Sequence, residues 1–246
     1  MQSLFDLQEW FGGIDIYLFD QLLKRRFVPG MRVLDAGCGS GRNLIYFLRS
    51  GNECFGVDKS EQAIAQIREL AAELAPHLPA ENFRVEPLER MSFGKEVTIR
   101  PQGNLTVDFA DYMERTGNRR TTLSGQQSEP GRTENSSGFD VVISSAVLHF
   151  ARDEQQWQAM VNEMWRVLKP GGIFFVRLAS TIGIENLVTL LEGRRYHLPD
   201  SSDRFLVDAA MLQRVTAAIG GEFVEPIKTT IVENMRAMTT WVLRKK

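Results

Sequence analysis

In VLDAGCGSGRN, residues 33–43, an apolar run ends in an acid and opens into three glycines at alternate positions, Gly37, Gly39 and Gly41. Bounded upstream by Pro29-Gly30, the run Met31–Asp35 reads as a short buried strand. Beyond the glycines, Leu44, Ile45, Phe47 and Leu48 recur at helical spacing within Arg42–Ser50. Strand, bare turn and helix in succession form the ligand-binding corner of an open α/β sheet.

The same alternation continues along the chain. CFGVD (54–58) reads as a second strand, and Ser60–Leu74 as a helix with Ser60 as its N-cap. NFRVEPL (82–88), DVVISSAVL (140–148) and IFFVRLA (173–179) supply three more strands. A helix over Gln155–Leu168 precedes the last of them and is closed by Lys169-Pro170-Gly171-Gly172. Strands and helices alternating at this spacing predict crossover units on a parallel sheet with helices on both faces. A helix near 208–219 and two β-rich runs, EFVEPIKTTIVE and MTTWVLRKK, complete the chain, the runs as an antiparallel pair at the sheet edge. Residues 4–26 carry an aromatic-rich helical pattern broken at Gly12-Gly13, so residues 1–28 read as a helical cap on a single domain spanning 1–246. The segment 94–138 breaks the rhythm. It reads as a surface insertion, partly disordered or holding a short hairpin, and Arg115, Arg119, Arg120 and Arg132 leave open a lid or partner-docking arm.

Composition narrows the function classes. The 246 residues suffice for one full α/β domain, with 43% hydrophobic and 24% charged residues. A formal net charge of −2 provides no global field to recruit nucleic acid or an anionic membrane. No run of about 18 apolar residues predicts a spanning helix. The N-terminus lacks the basic and apolar regions of a signal peptide, and two cysteines, Cys38 and Cys54, make no disulfide framework. A reducing, cytoplasmic setting is the expectation.

The glycine spacing speaks to the ligand. A dinucleotide fingerprint needs its third glycine at position 42, which is Arg42. A pyrophosphate at a helix N-terminus requires free backbone N–H groups and no nearby carboxylate. Asp35 would repel such an anion and attract an ammonium, so the ligand should lack phosphates and carry a cationic end. S-adenosyl-L-methionine has that character. Gly37 and Gly39 would let the backbone approach it closely. Asp58, at the end of the second strand, is placed to accept both ribose hydroxyls, and adenine would lie near Glu86–Glu89. An arginine in place of the third glycine, and no Tyr-x-x-x-Lys pair, weigh against a nicotinamide-dependent oxidoreductase, the alternative enzyme class. A non-catalytic S-adenosylmethionine-binding module is the other alternative.

VLDAGCGSGRN, the GVD strand end, FDVVISSAVLHF and MWRVLKPGGIFFVRL together resemble the class I S-adenosylmethionine-dependent methyltransferases, over about 31–93 and 139–246. Within them GCGSGRNLIYFLRSG is similar to the tellurite-resistance branch and related small-molecule enzymes. The resemblance implies a Rossmann-like, doubly wound seven-stranded sheet, mostly parallel with an antiparallel last strand. It further implies that Asp35, Gly37 and Gly39 contact the methionine part and Asp58 the ribose, flanked by Lys59. Ser145 and Ala146 would line the methionine side. The family's adenine-binding acid falls on Pro87, so Leu88 and Glu89, or Glu86, must serve instead.

Methyl transfer is an in-line displacement, and a general base is needed only where the acceptor enters protonated. His149, in AVLHF, is the candidate base, with a strand-end structural histidine as the alternative. No NPPY or DPPY follows the fourth strand, no Pro-Cys nucleophile is present, and no Asp/Asn cluster suggests a metal. A small-molecule acceptor is therefore favoured over nucleic acid. Trp10, Tyr17, Phe150 and Arg177 are the candidate acceptor contacts, Arg177 because a charge closing an apolar strand needs a partner. Arg194, Arg195 and Tyr196 are further candidates for an anion site.

Overall fold

Neighbouring residues on each central strand face opposite sides of one sheet, and this period of two builds two separate cores. In the computed structural model, which describes residues 6–94 and 138–246, the strands at the ligand edge are β1 (Arg32–Ala36), β2 (Glu53–Asp58), β3 (Phe83–Val85), β4 (Phe139–Ser145) and β5 (Leu168–Ser180). Leu34, Phe55, Val142 and Phe174 pack into one apolar cluster, whereas Val33, Cys54, Val141 and Phe175 pack into the other. The first cluster is covered by α5 (Glu154–Val167) and α6 (Ala209–Ala218). The second is covered by α2 (Ile16–Leu23), α3 (Ile45–Arg49) and α4 (Glu61–Leu74). A short α1 (Leu7–Phe11) precedes them, and Gly12-Gly13 separates it from α2.

Three further strands, β6 (Thr189–Glu192), β7 (Arg195–His197) and β8 (Asp203–Phe205), make a small antiparallel sheet of their own. The chain ends in β9 (Gly221–Phe223), β10 (Lys228–Val232) and β11 (Arg236–Lys245). The main sheet runs β10-β11-β5-β4-β1-β2-β3, with β9 added onto β11. β1 to β5 are mutually parallel, and β11 is antiparallel to both β5 and β10. The doubly wound sheet with an antiparallel last strand is thus present. The glycine loop lies where the order reverses around β1 and β4, the switch point at which open sheets bind ligands.

Helix starts follow local chemistry. Ser60 caps α4 by accepting from the Ala63 amide, Asp153 caps α5 from Gln156, and Asp208 caps α6 from Met211. Departures from the sequence reading have local causes too. The third strand stops at Val85 and gives way to a turn of 3₁₀ helix at Leu88–Arg90, because Pro87 cannot donate to the ladder. The fourth strand ends at Ser145, not at 148, where Ala146 turns into the left-handed region with φ +64°. The three-stranded sheet was not anticipated. All four residues of β6 are exposed, which erases the alternation that marks a half-buried strand. Of the insertion read at 94–138, residues 95–137 lie outside the described residues.

Trp241 of β11 anchors one core. It stacks on Trp157 at 6.3 Å, its indole N–H donates to Thr216 Oγ1 at 3.0 Å, and Trp157 in turn stacks on Phe205 at 6.0 Å. Trp241→Ala is expected to lower the free energy of unfolding by about 3–5 kcal/mol in urea titration, through the cavity it leaves.

Candidate functional site

The glycine loop is closed on itself by backbone bonds. The Gly37 and Cys38 amides both donate to the Val57 carbonyl, at 2.8 and 3.0 Å, pinning the loop to the end of β2. Gly37, at φ +84°, has no room for a side chain, since a Cβ would strike Val147 at 2.5 Å. Gly39, at φ +53°, differs: nothing lies within 4 Å of where its Cβ would stand. Its bare backbone faces a cleft of about 480 Å³, lined also by Asp58, Lys59, Leu88, Ser145 and Ala146. Gly37, Gly39 and Glu89 share that lining, so eight of the nine predicted cofactor residues converge there.

The ninth is Asp35, and its position corrects one expectation. It is not at the mouth of the loop: it is 1% exposed, and neither carboxyl oxygen has a hydrogen-bond partner. Burial pushes its carboxyl up to about 7, against the opposing pull of the nearby Arg42 guanidinium. The carboxylate that engages the loop is Asp58. Its Oδ2 accepts from the Gly39 amide at 3.0 Å and its Oδ1 from the Ser60 amide at 2.9 Å. An amide that a pyrophosphate would need is already occupied by a negative group.

At the adenine end, Glu86 also lines the cleft, and its carboxylate accepts from the Ser92 amide at 2.7 Å. Glu89 accepts from Gln156 Nε2 at 2.9 Å, which brings α5 against the cleft. Gln156 and Met160 join Pro87 and Leu88 in that wall. Sequence reasoning missed both α5 residues, because nothing local in a helix names the loop it will face.

It also missed Asp15. This carboxylate, whose side chain is wholly buried, caps α2 by accepting from the Tyr17 amide at 2.9 Å. It also accepts from Ser145 Oγ at 2.9 Å and Arg177 Nη1 at 3.0 Å, while its own amide donates to Asn43 Oδ1 at 3.1 Å. Arg42 continues the network, donating to Ser145 Oγ at 3.3 Å and to the Gly13 carbonyl at 3.1 Å. The partner that Arg177 needs is therefore Asp15. Of the other predicted acceptor contacts, Tyr17 lies beneath the Arg177 guanidinium at 5.1 Å, and its hydroxyl pairs with Thr230. Trp10 lines neither of the cavities described here.

A second cavity, of about 690 Å³, adjoins the cleft and shares Ala146 and Phe150 with it. His149 and Arg177 line it. His149 is 7% exposed, its ring lies 4.5 Å from that of Phe150, and its Nδ1 is buried with no partner. Burial pulls its imidazole down to about 4, helped by the positive charges of Arg204 and Arg236. His149 is thus neutral throughout the physiological range. Arg194 pairs with Asp208 at 2.9 Å and lines neither cavity. Among the described residues no helix is long and apolar enough to cross a membrane.

Comparison with known proteins agrees with this geometry. The profile of the methyltransferase domain matches residues 14–206. The chain is 27% identical over 168 residues to a ubiquinone biosynthesis O-methyltransferase of Mesorhizobium japonicum, covering 65% of this chain and 49% of that protein. It spans about half the length of the curated relatives it matches. Its fold is similar to that of the 1,6-didemethyltoxoflavin-N1-methyltransferase of Burkholderia thailandensis, solved with 1,6-didemethyltoxoflavin and S-adenosylhomocysteine (TM-score 0.59, 16% identity, 98% of this chain and 81% of the other). It is also similar to that of a TehB-like SAM-dependent methyltransferase of Corynebacterium glutamicum (TM-score 0.52, 17% identity, 94% and 89%).

Two stability measurements probe the site. Asp15→Ala leaves the Arg177 charge without its partner and is expected to cost about 3 kcal/mol in urea unfolding. His149 has a folded value of about 4 against an ordinary 6.5. The unfolded chain therefore binds the extra proton, and stability is complete above pH 6.5 and lost as pH falls towards 4. Between pH 7.5 and 5 the natural protein should lose about 2 kcal/mol more than His149→Phe does.

Proposed function

The chain belongs to the methyltransferase-domain family, and on that footing we propose that it transfers a methyl group from S-adenosyl-L-methionine to a small-molecule acceptor. The observation that carries this reading is the open, side-chain-free face of Gly39 beside the Asp58 carboxylate, within a cleft of about 480 Å³. That volume is within the usual range for a bound small molecule.

The residues present fit the cofactor. Each Asp58 oxygen holds one backbone N–H and keeps a lone pair, so the two together can accept both ribose hydroxyls. Gly37 and Gly39 admit the methionine part, Ser145 and Ala146 line its far side, and Lys59 flanks the ribose. Leu88 and Glu89, with Gln156 and Met160, wall the adenine end.

The cofactor supplies an electrophilic methyl on a sulfonium. The chain's task is to aim it and keep water away, since near-attack positioning provides most of the acceleration in a displacement of this kind. Phe150, which lines both cavities, stands at the passage between donor and acceptor. His149 orients the acceptor through its free Nδ1. A base as weak as this can take the proton from a hydroxyl while its oxygen is being alkylated, because a protonated ether is a far stronger acid. Once bound, the cofactor would supply the methyl together with its own sulfide leaving group, and His149 or water would take the proton of an acceptor that enters protonated. We read residues 1–246 as one methyltransferase domain in which residues 1–28 form a cap and 94–138 a surface insertion. We assign it a cytoplasmic setting, in line with two buried free thiols.

Isothermal calorimetry with S-adenosylhomocysteine tests the reading. Micromolar binding is expected for the natural protein. Asp58→Ala and Gly39→Val should each weaken it at least tenfold, the first by removing the ribose acceptor and the second by filling the open face. No binding of either S-adenosylmethionine or its product, or tight binding of NADH instead, would overturn it.

A further inference from the structure

The second cavity lies between two walls, one of them in the segment after the fifth strand (177–205) that the sequence offers as a pocket closure. One is the tip of the β10–β11 hairpin, a two-residue turn in which Glu233 and Asn234 both take positive φ and the Met235 amide donates to the Val232 carbonyl. The other is the β7–β8 end of the small sheet, which brings Leu198, Asp200 and Arg204 to the same space. Apolar surface from Ala179, Leu198, Val232, Met235 and Met238 makes up most of its wall.

Three arginines reach this cavity, and their charge balance differs. Arg177 is neutralised by the buried Asp15 at 3.0 Å. Arg236 is neutralised by Asp200, itself largely buried, also at 3.0 Å. Arg204 has no carboxylate within ion-pair distance among the described residues. Its guanidinium donates to the Asp203 carbonyl at 2.8 Å and lies over the Phe150 ring at 4.9 Å. Phe150 is the residue shared with the cofactor cleft, so the unpaired cation stands directly at the passage. On the same side His149 presents a buried, unpartnered Nδ1. The Asp200 and Glu233 carboxylates share the lining, yet neither pairs with Arg204, so a mostly apolar chamber with one guanidinium outside any ion pair and one neutral hydrogen-bonding ring fits an apolar molecule with one negative group.

We propose that the second cavity binds the methyl acceptor as a largely apolar molecule bearing one carboxylate or comparable oxyanion, anchored by Arg204 and hydrogen-bonded by His149 Nδ1. This rests on the reading of the first cleft as the cofactor site. The anchored anion is not the methylated atom, because a guanidinium bound to a nucleophile withdraws the electron pair it must give. The Arg204–Phe150 stack instead fixes where the rest of the molecule lies, and so which atom faces the sulfonium. Arg177, the sequence candidate for this anchor, is left as the positioning residue that Asp15 holds.

The test measures calorimetric binding of salicylate, 1-hydroxy-2-naphthoate and decanoate to the protein saturated with S-adenosylhomocysteine, each beside its methyl ester. At least one acid should bind tenfold or more tightly than its ester. Arg204→Gln should abolish that preference while leaving the ester's affinity and S-adenosylhomocysteine binding unchanged, and Arg204→Lys should restore part of it. Should every acid bind no better than its ester, or bind not at all, the proposal is overturned. The same holds if Arg204→Gln weakens acid and ester equally. Loss of S-adenosylhomocysteine binding in the natural protein would instead sink the cofactor assignment, so the two failures are told apart.

Discussion

A carboxylate with no solvent contact, that of Asp15, joins four parts of the molecule. Removing such a charge from water costs several kcal/mol, and only a full set of donors offsets it. Asp15 has that set: an amide of its own helix, a hydroxyl from β4 and a guanidinium from β5, while its amide is held by the residue after Arg42. The N-terminal helices are therefore not merely packed over the sheet. They are fastened at the point where β4 and β5 deliver their last residues to the ligand edge, and the glycine loop is fastened with them. A second cluster holds the far end of the same helices, where Glu225 pairs with Lys24 at 2.7 Å and Arg26 at 3.0 Å.

Two other carboxyl groups show how burial divides roles among chemically identical side chains. Asp58, half-buried at a strand end, is satisfied by two amides and stays available on its outer lone pairs. Asp35, a strand residue flanked by β2 and β4, has no donor and is drawn towards its neutral form. The acid that meets the glycine loop is therefore Asp58 and not Asp35, since Asp58 takes the Gly39 amide itself.

What was legible in the sequence was local. Period-two and period-3.6 patterns located β1 to β5 and the helices between them, and side-chain caps such as Ser60 marked their starts. The lining of the first cleft was legible because most of its residues sit at strand ends, where topology alone brings them together. The pairings around the second cavity were not. Asp15 and Arg177 are 162 residues apart, and no local rule pairs them. Arg204 sits in a three-residue strand beside the wholly exposed β6, so the small sheet left no periodic trace. Arg177 was singled out because a charge at that place requires a partner. The reasoning held, and it was the partner's identity that changed the residue's role from anchor to support.

Ala146 brings these threads together. It follows β4 directly, its amide is held by the Arg177 carbonyl at 2.8 Å, and it adopts φ +64° without being glycine. Such a conformation costs an alanine about 1 kcal/mol and persists only where its surroundings over-determine it. Here the surroundings are the β4–β5 ladder behind and the turn carrying His149 and Phe150 ahead. The kink swings that turn away from the line of the strand, so that Phe150 reaches both cavities and His149 only the second. A displacement needs donor and acceptor in line through one opening, with everything else walled off. The strained residue sits at that opening, lining both cavities with Phe150.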